Sequence, residues 1–334
     1  EAKEAKSYLE SIKKKVEKAA QARDALTAEE LDLVDAELLD LLETWEATVD
    51  SFEEMELFAM DAESVKSNLE KGGTVTLSDD VEFTETITIP EDVATVLDLN
   101  GFDVTFTNIA VLGDLTIQGK GTMTTETTSN AIQVGTYSSS GMSSGSSLTF
   151  SDATLDAGWY AISVFGENTK VTVDSGSISA DYYVISGNGM ATRTSGSVIT
   201  INGGTLTSRE DVAIYHPQRS GSKLVITGGT IEGVWAGIQM CSGSLTVSGD
   251  DTRIKATSET EFPDKDDEAA DGSIEDGAAI SLLSRSSYGG DISVDISGGT
   301  FEAVHYPIKY YGVNTSATSN KQVILDYSIP SGVK

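Results

Sequence analysis

The strongest constraint on this chain is a short turn that recurs with a period far smaller than a domain. GKGT (119–122), SDAT (151–154), DSGS (174–177), NGGT (202–205), TGGT (227–230), GDDT (249–252) and SGGT (297–300) are segments of one type. Their last residues lie 32, 23, 28, 25, 22 and 48 positions apart. The stretch LVITGGTIEGVWAGIQMCSGSLTV (224–247) shows what fills the interval: three short runs, LVIT, TIEG and AGIQM, separated by bends. No run alternates long enough for a sandwich strand, and no helical stretch intervenes as βαβ units require. A chain that lays down three short strands in about 24 residues and then repeats is coiling, with each coil paired to the next and Val, Ile and Leu stacked inside. The expected fold is all-β: a single-stranded parallel β-helix of about ten coils, right-handed by the chirality of parallel crossovers. At ~4.8 Å per strand spacing the rod is roughly 50 Å long.

The 48-residue gap contains the charged segment 259–277, so it is expected to be about two turns carrying a protruding, solvated insertion. That insertion is dense in carboxylates. Asp264, Asp266, Asp267 and Asp271 are the candidate ligands for Ca²⁺, the one cofactor considered, although the EF-hand register is missing because no Asp-x-Asp start has Gly at its sixth position.

A second boundary is compositional. None of the 32 glycines and none of the five prolines precedes Gly72. Residues 1–60 are therefore read as a helical hairpin or anchor, and 61–334 as the β-helix with a cap helix at 61–71. Leu9, Ile12, Val16, Ala19 and Leu26 recur at helical spacing. Thr27, three residues before Glu30, is a capping box expected to open a second helix. Its apolar stripe is Leu31, Val34, Leu38, Leu41, Trp45, Val49 and Phe52. Such a stripe wants a partner helix: α-helices of an antiparallel hairpin, a homo-oligomer (a trimer among the options), or a capsid or cell-surface protein docked through residues 1–60. Asp61 is the expected N-cap of the cap helix, with Val65 and Leu69 against the first coil. The far end, Tyr310–Ile329, has no helix to cover it, which leaves an irregular strand, another protomer or further chain.

Fifty-three Asp and Glu against 22 Lys and Arg give a net charge of −31, which repels phosphate backbones and anionic lipid surfaces, so nucleic acid and membrane partners are not expected. No stretch approaches the ~20 apolar residues of a membrane span. The single cysteine, Cys241, excludes an intrachain disulfide. Glu1 is not Met and no basic-then-apolar leader follows, so processing or trimming is expected at this end.

Segments such as VITINGGTLTSREDVAIYHPQ and LVITGGTIEGVWAGIQM resemble the pectate-lyase-like right-handed β-helix repeats of two settings: surface proteins of Gram-positive gut bacteria, and head-fibre or decoration proteins of the tailed phages that infect them. The resemblance covers about residues 72–312. RDALTAEELDLVDAELLDLLE (23–43) also resembles the acidic helical hairpin at the start of tailed-phage capsid precursors. These likenesses imply a non-enzymatic rod of the virion, with a bacterial cell-surface adhesin as the alternative and a polysaccharide lyase or hydrolase third. Hydrolases resembling polygalacturonases combine paired carboxylates with Asn-Thr-Asp, Gly-His-Gly and Arg-Ile-Lys. Here Asp250–Asp251 abut Arg253-Ile254-Lys255, and the other two motifs are missing, so a turn followed by a strand is expected. His216 and His305 fall on separate coils and are expected on surface turns. Tyr215-His216-Pro217-Gln218 stands out without a mechanism.

Aligning the coils on Ile162, Ile185, Ile214, Ile238 and Ile308 gives a candidate binding face. Three residues earlier stand Trp159, Tyr182, Asp211, Trp235 and His305, expected to face out; two residues earlier stand Tyr160, Tyr183, Val212, Ala236 and Tyr306, expected to face in. Rings repeated at the coil spacing form a strip on which sugars dock by their C–H faces. The same rings could instead stack on one another or lie beneath an adjoining loop.

Overall fold

The computed structural model describes residues 2–56, 61–219, 221–260, 272–275, 277–289, 292–314 and 325–328. Three parallel sheets run along the rod. The first has ten strands, from Gly73–Thr76 to Leu325–Ser328. The second and third have nine each, from Val81–Phe83 to Thr300–Glu302 and from Ile87–Ile89 to Tyr306–Asn314. The chain visits the first, second and third sheets in turn and then rises by one coil. This is the expected parallel β-helix.

The recurring turns all fall at one corner, between the first and second sheets. Gly176, Gly204, Gly229 and Gly299 take φ of 89°, 82°, 88° and 96° there, a conformation open to glycine at little steric cost. In SDAT the left-handed position passes to Asp152, at φ 59°. The leading residues of the turns tie successive coils together: the Asn202 amide donates to Asp174 at 2.7 Å, and the Thr227 hydroxyl donates to Asn202 at 2.9 Å. One turn is a residue longer than the sequence alignment suggests. Arg253, not Thr252, pairs with Thr230 below and Thr300 above.

The larger correction concerns the long gap. Leu245 pairs directly with Val294 in neighbouring strands of the first sheet, so the interval is one coil carrying an insertion and not two turns. Nor does the whole insertion protrude. Residues 272–275 return to the outer face of the third sheet, with Ser273 and Ile274 buried. Asp264, Asp266, Asp267 and Asp271 lie outside the described residues.

Inside the coil, side chains at equivalent positions stack. Leu148, Val171, Ile199, Leu224 and Leu245 form one column of the first sheet, and Ile201 and Ile226 another. Leu206 and Ile231 do the same in the second sheet. All are buried in one continuous core. At the N-terminal end, α4 (Ala62–Lys71) covers the first coil as expected. Asp61 accepts from the Ser64 N–H, and Val65 and Leu69 join the core. The Thr95 hydroxyl of the second coil donates to the Leu69 carbonyl at 2.7 Å, and Glu70 accepts from the Thr88 N–H of the first coil at 3.1 Å, a donor that the end of the sheet would otherwise leave open. At the other end, strands Tyr306–Asn314 and Leu325–Ser328 continue the third and first sheets.

The helical segment differs from the expected pair. α1 spans Ala2–Asp24 and α2 only Ala28–Leu31. Thr27 and Glu30 do form the capping box, but α2 stops after one turn and α3 (Ala36–Glu56) begins afresh, with Asp35 accepting from the Glu37 N–H at 2.9 Å. A second cap signal, Asp35, stands eight residues after Thr27 and restarts the helix, and this divides Leu31 and Val34 from the rest of the stripe. α1 and α3 pack on each other, with Arg23 donating to both carboxylate oxygens of Glu46 at 2.5 and 3.1 Å. The half-buried residues of α3 include Leu39, Leu42, Glu46, Thr48 and Val49, while Leu38, Leu41 and Trp45 of the predicted stripe are exposed. The Phe52 side chain lies outside the described residues.

Truncation inside a stacked column removes contacts to the coils above and below. Ile226→Ala is expected to lower unfolding free energy by about 2–4 kcal/mol. Urea titration checks this, and a loss below about half a kcal/mol would argue against a close-packed interior at that coil.

Candidate functional site

The candidate face is built on the bend into the third sheet. There the regular alternation of side chains fails. Ala161, Val184 and Ala213 precede the aligned isoleucines, yet both members of each pair belong to the coil core. Two successive inward residues at the bend leave the residue just before them on the outside. Tyr160, Tyr183, Val212 and Ala236 therefore form a separate apolar cluster with Tyr215, Cys241, Trp235 and Tyr288, contrary to the inward expectation for the first four. Tyr306 is exposed, again against expectation.

The rings are ordered as a ladder. Tyr160 stacks on Tyr183 at 4.8 Å between centroids and 21° between planes, and Tyr183 on Tyr215 at 5.0 Å and 23°. Trp159 lies against Tyr182 at 4.3 Å, tilted by 53°, and against Tyr160 at 5.7 Å. Of the five residues proposed as the strip, Trp159, Tyr182 and Trp235 are half-buried and present part of their surface. Asp211 does not belong on the surface. It is buried, with its carboxylate accepting from the Val212 N–H at 2.7 Å. His305 is exposed, with Nε2 2.6 Å from the Glu259 carbonyl oxygen.

Part of the ladder is roofed. Gln239 reaches up from the third sheet, donating to the Gly272 carbonyl at 2.9 Å and accepting from the Ile274 N–H at 3.0 Å. Arg285 donates to the same carbonyl at 2.8 Å. Ile274 packs on Leu283. This clamp covers Tyr215 and Cys241. Burial pushes the pKa of both upward, so phenol and thiol stay protonated and unreactive at neutral pH. The open portion of the ladder is the lower part, around Trp159, Tyr160 and Tyr182.

Beside that portion runs a charged rim the sequence reading missed. Arg209 donates to Asp156 and to Asp181, each at 2.7 Å, and to the Ala157 carbonyl at 2.8 Å, bridging coils. Burial opposes the Arg209 charge, but the bonds to Asp181 and Asp156 outweigh it and raise its pKa. All three side chains are more than one-third exposed, so their remaining hydrogen-bonding capacity faces solvent. The signal was available: each precedes a strip residue by one to three positions. The rings supply an apolar plane and the rim supplies donors and acceptors.

The Tyr-His-Pro-Gln segment also finds its explanation here. Tyr215 enters the ladder, while His216 pairs with Met240 and faces into the coil, fully buried. It does not sit on a surface turn. Gln218 is also buried; it accepts from the Ser197 hydroxyl at 3.1 Å and lies where a side chain on Gly187 would have to be. Neither ring nitrogen of His216 makes a hydrogen bond. Burial pushes its pKa down to about 4, against the carbonyls of Ser242 and of His216 itself, which favour the proton.

Among the described residues no group of three or more His, Cys, Asp or Glu is placed to hold a metal ion, and no helix is long and apolar enough to cross a membrane. Compared with protein-family models, with curated proteins and with solved structures, the chain has no match.

The neutral, buried His216 gives a pH signature. Above pH ~6.5 neither state is protonated at this residue; below it only the unfolded chain takes the proton, until the native ring follows near 4. Stability is therefore lost as pH falls through that window, by about 3 kcal/mol in full. In His216→Met, a residue that already fits this column at Met240, that share of the acid sensitivity should vanish. Parallel urea titrations between these pH values check it, and identical pH slopes for both proteins would contradict it.

Proposed function

We propose that the chain is a non-enzymatic structural and binding rod whose third face contacts glycans. The observation that carries this reading is the open Trp159–Tyr160–Tyr182 ring surface flanked by Asp156, Asp181 and Arg209. Pyranose rings present axial C–H groups to aromatic planes and hydroxyls to their sides, and this pairing of plane and rim offers both. The acidic surround makes neutral or cationic sugars better ligands than polyanions.

Within this reading, the chain is a virion protein, a head fibre or capsid decoration that displays the β-helix outward and attaches through residues 1–60. The sequence resemblances to phage rods and to the capsid-precursor hairpin support that placement, as does an apolar helical surface joined to a rod whose near end is capped by α4.

Screening against a panel of neutral, cationic and acidic oligosaccharides tests the binding function. Binding to at least one neutral or cationic member is expected, with Trp159→Ala weakening it at least about tenfold, or ~1.4 kcal/mol, at an unchanged melting temperature. The oligosaccharide should be recovered uncut. Absence of binding, or binding indifferent to Trp159→Ala, would overturn the assignment of this face. Cleavage would overturn the non-enzymatic reading. Immunogold labelling of purified particles and of host cell walls tests the virion placement.

A further inference from the structure

We infer that the helical segment is a self-complementary dimerisation module in which the groove between α1 and α3 is closed by the same groove of a second copy. The inference rests on the reading that residues 1–60 mediate assembly, and names the partner. The groove, of about 370 Å³, is lined by Tyr8, Ile12 and Val16 of α1 and by Leu38, Leu41 and Trp45 of α3. Two helices cannot cover it. Tyr8 remains 69 % exposed, Leu38 60 %, Leu41 53 % and Trp45 42 %. Large apolar groups concentrated to this degree mark a surface that is covered in use.

Charge identifies the cover. α1 carries seven Lys and Arg against four Asp and Glu, a net +3, whereas α3 carries eight Asp and Glu and no base, a net −8. In a chain of net charge −31, α1 is a concentrated basic element. Two copies of this chain repel each other overall, whereas α1 of one and α3 of the other carry opposite charge. The Arg23–Glu46 pair within one copy already shows that attraction. A two-fold arrangement of grooves satisfies both requirements at once. Four helices enclose the exposed Tyr, Leu and Trp side chains, and α1 and α3 alternate around the bundle, so that each basic helix has acidic helices on both sides. A basic or uncharged partner could cover the apolar groove, but it would leave the charge of α1 unmatched.

Sedimentation equilibrium of the full chain tests this at micromolar concentrations, in about 0.1 M and about 1 M salt, where the screening length falls from about 10 Å to about 3 Å. The expected result is a dimer whose dissociation constant rises at least tenfold in high salt. Leu41→Asp with Trp45→Asp should yield a monomer, with the unfolding transition of the rod and its oligosaccharide binding unchanged. A second test places Cys at Leu41 and looks for a disulfide-linked dimer under mild oxidation. A monomer at every concentration, a trimer, or a dimer that survives the double Asp variant would each overturn the inference. A monomer that nonetheless attaches to particles through residues 1–60 would keep the docking role of the helices and remove only self-association. Loss of glycan binding in a chain that still dimerises would count against the rod's function and not against this module.

Discussion

In-register stacking of coils is the constraint on which everything else in this molecule depends. Each strand hydrogen-bonds the equivalent strand of the next coil, about 4.8 Å away, so a side chain meets its own counterparts above and below. Apolar residues then sum into continuous columns such as Leu148–Val171–Ile199–Leu224–Leu245. Polar residues sum as well. The Asp174–Asn202–Thr227 ladder at one corner and the Tyr160–Tyr183 stack on the third face are the same geometry with different chemistry, and Tyr215, three positions on from the equivalent Val212, extends that stack from outside the register. The candidate binding face exists because the backbone repeats.

Where the chain turns from the third sheet to the first, the stacking principle carries hydroxyls into the interior. Ser146 donates to the Leu112 carbonyl at 2.8 Å, Thr169 to the Phe165 carbonyl at 2.5 Å and Ser197 to Gln218. Buried carbonyls released by the bend need such partners, and short hydroxyl side chains reach them without widening the coil. His216 and Gln218 extend this polar seam by one further coil, beside the room left by Gly187. The unpaired imidazole is tolerated because it stays neutral.

What could be read in advance follows from the same physics. The turn segments were legible because left-handed glycine at one corner is demanded in coil after coil, and Ile201, Leu206, Ile226 and Ile231 were legible because each flanks such a turn. The inward assignment of Tyr160 and Tyr183 failed because alternation assumes a straight strand, whereas the Ala161–Ile162 bend spends two residues on the inside. His216 was misplaced for a related reason: composition assigns histidine to surfaces, but its pairing with Met240 puts it within the core. The long gap was read as two turns because spacing counts residues, and only the Leu245–Val294 pairing counts coils. The rim of Asp156, Asp181 and Arg209 stood in the sequence one to three positions before strip residues, but its ion pairs went unseen because its members come from different coils and meet only after stacking.

The central claim is therefore tested most directly where register and residue count disagree most. Thr246 and Asp295 are neighbours in the first sheet although 49 residues separate them. Cysteines placed at both positions, in a chain whose own Cys241 is buried, should sit about 4.8 Å apart between Cα atoms, within reach of a disulfide. Oxidation of the folded protein is expected to close that bond nearly completely without loss of the native unfolding transition, as read by thiol titration and peptide mapping. If an additional coil occupies the interval, the two positions stand roughly 10 Å apart and remain reduced; that outcome would contradict in-register stacking across the insertion.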